Sequence, residues 1–250
     1  MTREDRSEGD DGLLAEQRRF YQQRAPGYDE WWQRRGRYDH GPDEAREWDV
    51  QVAEIAAALA AFNPAGDVLE LAGGTGWWTK SLAATSERLT VVDAAPEALA
   101  LNQRRVARRD VRYLVADLFT WEPDRRYDVV FFSFWLSHVP RARFGAFWSL
   151  VAACLQPNGR AFFIDNRHDA ALPRRDPYVR DESGDVQRRR LDDGSEHRVV
   201  KVYYEPAELA DRLAGEGWRA DVAASRCFIY GSARREPAAG SRADAQSCPR

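Results

Sequence analysis

The run VLELAGGTGWWT at positions 68–79 constrains this 250-residue chain more than any other stretch. Val68, Leu69 and Leu71 read as a short apolar strand, Gly73, Gly74 and Gly76 as a sharp turn, and WWTKSLAAT as the start of a helix. Glycines carry no Cβ, so this geometry brings backbone N–H groups close to a nucleotide-like ligand at a helix N-terminus. Seventeen residues past Gly76 a second apolar run, LTVVD, ends in Asp93. An acid at about that distance can accept hydrogen bonds from both ribose hydroxyls. Together these features imply an adenosine-containing cofactor.

A dinucleotide site would call for G-x-G-x-x-G with a pyrophosphate against the helix. Here Gly74 and Gly76 are followed by Thr79, so the third glycine is missing, and Trp77 and Trp78 suit close helix–strand packing poorly. Glu70, an acid within the strand, would repel a pyrophosphate but could hold an ammonium group. A nicotinamide-dependent oxidoreductase is therefore the weaker alternative.

VLELAGGTG resembles the first motif, commonly VLDLGCGTG, of the class I S-adenosylmethionine (SAM)-dependent methyltransferases, with Ala72 in place of the first glycine. The resemblance continues in order through TVVDAAPEAL (90–99), RYLVADLFTW (112–121), YDVVFFSFWLSHVP (127–140) and LQPNGRAFFID (155–165). It implies a Rossmann-like α/β fold: a seven-stranded, mostly parallel sheet with the last strand antiparallel, flanked by helices and covered by an N-terminal helical cap. It also implies SAM as cofactor. Contacts are expected from Glu70, directly or through the turn, from Ala72, Gly74 and Gly76 in the turn itself, Asp93 and Ala94 at the ribose, Asp117 and Leu118 at the adenine, and Ser133 near the sulfonium. Asp117 reads equally as a helix N-cap, and Leu118 as plain core.

The alternation of strands and helices from 68 to 165 independently implies a parallel sheet, with ligands beyond the carboxyl ends of its strands. The division expected is a disordered N-terminus (1–11), a helical cap (12–62), a SAM-binding core (63–231) and a disordered tail (232–250). Trp48, Val52, Ile55 and Leu59 recur at helical spacing before Asn63-Pro64. VQRRRLDDGSEHRVVKVYY (186–204) reads as a hairpin turning at Asp193-Gly194, added near the substrate side. Its run Arg188, Arg189 and Arg190 reads as a solvated face.

The string FYQQRAPGYDEWW (20–32) resembles the segment with which many small-molecule methyltransferases cover the cofactor. Tyr21 and Tyr28 either contact the cofactor or pack on the sheet edge. Trp32, Phe134, Trp135 and His168 are expected around the acceptor. His138, in SFWLSHVP, is the candidate general base, with an ordinary pKa suited to the task; the competing reading is a structural histidine fixing the loop. His168 is a second candidate.

Net charge of −3 gives no bulk attraction to nucleic acid or anionic membrane. The three cysteines lack metal-ligand spacing, no metal site is expected, and no apolar run reaches spanning length. A cytoplasmic enzyme follows, with no nucleic-acid or membrane partner expected and an oligomeric state that the sequence does not reveal. SFWL stands where methyltransferases of nucleobase amines usually carry Asn- or Asp-Pro-Pro-aromatic. The expectation is transfer of a methyl group to O or N of a small molecule, an aromatic or secondary metabolite. A non-catalytic SAM-binding protein is the other alternative.

Overall fold

A computed structural model describes residues 3–168, 179–181 and 184–236, with the side chains of 3–10 and 179–181 left aside. Five parallel strands form the centre of the sheet: β1 (Asp67–Leu71), β2 (Arg88–Asp93), β3 (Arg112–Val115), β4 (Tyr127–Ser133) and β5 (Leu155–Asn166). With β9 (Trp218–Ala224) and β10 (Phe228–Arg235) the order is β3-β2-β1-β4-β5-β10-β9. β10 runs antiparallel to both of its neighbours, as expected for the last strand.

Successive strand side chains point to opposite faces, and both faces here are covered. On β4, Phe131 packs toward α3 (Pro42–Phe62), while Phe132 packs toward α6 (Phe144–Cys154). The first face also holds α4 (Thr79–Thr85) and α5 (Pro96–Val106) through Leu82 and Leu99; the second holds α7 (Pro206–Gly215) through Leu209 and Leu213. Each fully buried leucine contributes roughly 2 kcal/mol of transfer free energy. α3 begins with Pro42 in its first turn and stops at Asn63, whose left-handed backbone (φ 53) caps it ahead of Pro64.

The cap is built from α1 (Arg3–Arg24) and the short α2 (Tyr28–Trp32), joined by a 3-10 turn at Ala25–Gly27. α1 starts at Arg3, inside the segment that composition marks as disordered. The expected hairpin is present as β7 (Val186–Arg190) and β8 (Glu196–Val200), and β6 (Val179–Asp181) extends it to a three-stranded antiparallel sheet. Phe20 of α1 packs on it against Leu191 and Val199. At the other end β10 continues to Arg235, four residues into the expected tail, because Ser232 to Arg235 pair with Trp218 to Asp221 of β9. The tail from 237 on, Cys248 included, lies outside the described residues, as do 169–178, 182 and 183.

Candidate active site

The glycine turn leaves the carboxyl end of β1. Gly73 has no room for a side chain: a Cβ there would lie 2.3 Å from Val91 Cγ1. At Gly76 it would meet the Asn102 amide at 2.7 Å, with φ at +90. Asn102 of α5 holds the turn: its Nδ2 donates to Gly73 O (3.2 Å), Gly74 O (3.3 Å) and Thr79 Oγ1 (2.8 Å). Thr79 Oγ1 in turn donates to Glu70 Oε2 at 2.5 Å. Glu70 is buried, and burial pushes its pKa up to about 8, so it carries its proton at neutral pH.

Beyond the strand ends lies a cavity bounded by Gly74, Asp93, Asp117, Ser133 and the cap residues Tyr21 and Tyr28. Asp93 Oδ2 accepts from Gly74 N and Oδ1 from Ala95 N, both at 2.8 Å. A carboxylate offers about four acceptor directions, so two remain toward the cavity. Asp117 is turned to the same cavity by Arg18 of α1, at 2.7 Å, and caps Phe119 N at 3.1 Å. Asp117 therefore lines the cavity and serves as a cap at once.

The cap is fastened to the turn at Asp29. Its Oδ1 accepts from Thr75 Oγ1 (2.7 Å) and Trp77 Nε1 (2.8 Å), and its Oδ2 is paired with Arg105. Burial would raise its pKa, but these donors outweigh burial and hold it below the ordinary value.

A second cavity of about 300 Å³ adjoins the first, and Tyr21, Tyr28, Phe134 and His138 line both. His138 lies in the 3-10 turn Leu136–His138 after β4. Its Nδ1–H donates to Val200 O at 2.7 Å, which leaves Nε2 to accept from the Tyr21 hydroxyl, also at 2.7 Å. Burial, then Lys201 and Arg189 nearby, drive its pKa well below 6.5, so the ring is neutral. Gln17 of α1 clamps this corner, donating to His138 O and accepting from Val200 N.

The wall of the second cavity is cationic. Arg189 donates to Tyr21 Oη (3.2 Å) and Gln187 Oε1 (3.1 Å), and Arg24 donates to Tyr38 Oη (3.0 Å). Among the described residues neither guanidinium has a carboxylate partner. Lys201 is buried, donates to Ser137 Oγ at 2.7 Å and lies 3.7 Å from Asp165. Burial lowers its pKa to about 8, against the pull of Asp165.

A family model for a methyltransferase domain matches residues 68–159. Among solved structures, DhpI in complex with SAH is 35% identical over 90% of this chain and 98% of that one, with a TM-score of 0.75. A DhpI–SAM–HEP complex is 37% identical over 89% and 98%, with a TM-score of 0.73. The chain belongs to the SAM-dependent methyltransferases. Burkholderia thailandensis 1,6-didemethyltoxoflavin-N1-methyltransferase, with bound 1,6-didemethyltoxoflavin and S-adenosylhomocysteine (SAH), shares the fold at 21% identity over 73% of this chain and 76% of that one (TM-score 0.52). Comparison with curated proteins finds no match.

The methyltransferase cavity fits SAM: a turn too tight for side chains, the Asp93 carboxylate at the end of β2 with free acceptor directions, and an apolar and acidic end at Leu118 and Asp117. Tyr21, Tyr28, Ala72, Gly74, Asp93, Ala94, Asp117, Leu118 and Ser133 all line it. Gly76 lies on a small extension bounded also by Ala72 and Trp77. Glu70 does not reach it. The strand alternation turns Glu70 inward, and it supports the turn through Thr79.

Three acceptor expectations are corrected in this methyltransferase. Trp32 is buried among Trp48, Trp77 and Trp78, and its neighbour Trp31 faces the second cavity instead. Trp135 stands on the cofactor cavity beside Phe119 (5.4 Å). His168 is stacked edge-on behind Tyr203 (5.1 Å), and Tyr203 lines the cavity in its place. The arginine run is no uniform solvated face: Arg188 pairs with Glu196 while Arg189 and Arg190 line the cavity. Arg24, Asn102, Asp29 and Lys201 escaped sequence reasoning. Lys201 carried a signal, being one of two lysines among 37 basic residues and set between valines.

Proposed function

We propose that this enzyme transfers the methyl group of SAM to an oxygen atom of a small anionic acceptor bound in the second cavity. The observation that carries this reading is the pair Arg24 and Arg189, which face one cavity with tyrosine hydroxyls rather than carboxylates for partners. Both are half-buried, and a charge partly withdrawn from water gains from a counter-charge, which an anionic acceptor supplies. A neutral acceptor would leave both guanidiniums uncompensated. DhpI was captured with SAM and HEP in one complex, a precedent for a second ligand bound together with SAM in a protein similar to this one.

When bound, SAM supplies a methyl group on a good leaving group, so the protein mainly aligns the nucleophile. Tyr21, Tyr28, Phe134 and His138, lining both cavities, define the passage between them. Arg189 and Lys201 hold the acceptor oxygen at that passage. An acceptor that arrives ionised needs no general base, and His138 is then a positioning residue that sets the Tyr21 hydroxyl. The free thiols of Cys154 and Cys227 suit a reducing cytoplasm, and no helix among the described residues is long and apolar enough to cross a membrane.

The test is incubation with SAM and matched acceptors: carboxylates, phosphonates and phosphate monoesters against neutral phenols and amines. Production of SAH and of a singly methylated ester from the anions, with the neutral compounds inert, is the expected result. Turnover of neutral phenols or amines alone would overturn the anionic reading.

A further inference from the structure

Arg34 follows α2 in a left-handed backbone conformation, φ +52, which costs a non-glycine residue roughly 1 kcal/mol. That conformation lays its guanidinium on Trp48, 3.4 Å from the ring centroid, with the Trp31 ring at 5.7 Å. The stacking offsets part of the loss of water, yet burial still lowers the pKa of this arginine to about 10. The Arg34 guanidinium makes no hydrogen bond or ion pair with any described residue. The charge of Glu44 acts on it, and Glu47 is held by Arg226. The guanidinium, with five donors, thus borders two cavities without a partner among the described residues.

That space is the far end of the acceptor cavity. Arg34, Tyr38 and His40 line both the 300 Å³ cavity and a further one of about 150 Å³ bounded by Trp48, Gln51 and Cys227. The methyl passage is at the opposite end, where Arg189 bonds Tyr21 and Tyr21 bonds His138. Two cationic sites therefore stand at separate ends of one chamber, and only one of them borders the cofactor.

We infer that Arg34 anchors a second anionic group, so that the acceptor is an aliphatic diacid: one oxyanion at Arg189 receives the methyl group and the other is held against Arg34 and Trp48. The inference rests on the anionic-acceptor reading and adds the second charge to it.

The probes are glutarate and adipate against valerate and hexanoate, and 3-phosphonopropionate against propylphosphonate, titrated calorimetrically into the SAH-loaded protein. At least one diacid is expected to bind about tenfold tighter than its monoacid. Arg34→Gln brings that diacid down to the affinity of the monoacid, and Arg34→Lys restores part of the preference; thermal melting and SAH titration establish that both variants are folded. Monoacid binding without any diacid preference, or a preference that survives Arg34→Gln, overturns the inference and leaves the anionic reading standing. Failure of every acid to bind overturns both.

Discussion

The hydroxyl of Tyr21, on the cap, and Nε2 of His138, on the core, are 2.7 Å apart and form one unit. The Val200 carbonyl fixes which ring nitrogen carries the proton, so Tyr21 is the donor to His138, and Arg189 reaches the same phenolic oxygen from the other side. Tyr21→Phe and His138→Asn remove the same bond. Their effects on unfolding free energy and on kcat/KM should fall short of additive by about 1 kcal/mol in a double-mutant cycle. Because His138 is held neutral, the rate–pH profile should show no limb near the ordinary histidine value of 6.5.

Asp29 ties the cap to the glycine turn through three side chains. Asp29→Asn should destabilise the protein by about 1–3 kcal/mol through the loss of charge-assisted hydrogen bonds and raise the KM for SAM several-fold. The folded-state pKa lies below the ordinary 3.8. The contribution of Asp29 is therefore fully present above that value and disappears as the pH falls through the lower one. Denaturant melts of wild type and Asp29→Asn should converge in strong acid.

Glu70 behaves in the opposite sense. Its pKa rises from 4.5 to about 8 on folding. Stability from this group is complete below pH 4.5 and declines as the pH climbs toward 8 and beyond. Glu70→Gln, which keeps the shape, should melt higher than wild type at pH 8 and lose most of that pH dependence.

Lys201 ionises near pH 8 in the folded protein, facing Asp165, His138, Arg24 and Arg189. As the pH passes 8 the acceptor loses one cation, and its KM should rise. Measured in the Glu70→Gln background, which removes the other group titrating there, Lys201→Arg should abolish the rise.

Ala72 adopts φ +53, a conformation that glycine enters freely. Ala72→Gly should stabilise the protein by about 0.5–1 kcal/mol in denaturant melts.

The cofactor half of the site was legible in the sequence because its parts are local. Gly74, Asp93 and Asp117 each stand at or just past the carboxyl end of a strand, and strand order carries all three to one rim. For Glu70, expected to act directly or through the turn, the motif marks the position but not the side: one residue of alternation separates a cavity wall from the core, and the carboxyl supports the turn through Thr79. The acceptor half comes from distant segments. Arg24, Arg189 and Lys201 meet only because β7 and β8 pack on α1, a pairing that no local pattern encodes. Trp31 and Trp32 differ by one helical step, 100° of rotation, which decides which ring faces the second cavity and which meets Trp78.

Trp31 and Trp32 come from the cap, Trp77 and Trp78 from the turn beneath it, and the Trp32 ring sits 5.6 Å from Trp77 and 5.7 Å from Trp78. Indoles at that range exchange excitation and quench one another, so cap and core share a single emission as long as they touch. Any lifting of the cap to admit or release ligand separates the two pairs and changes that emission. Nature has in effect labelled both sides of the entrance, and the opening of the enzyme can be timed by its own light.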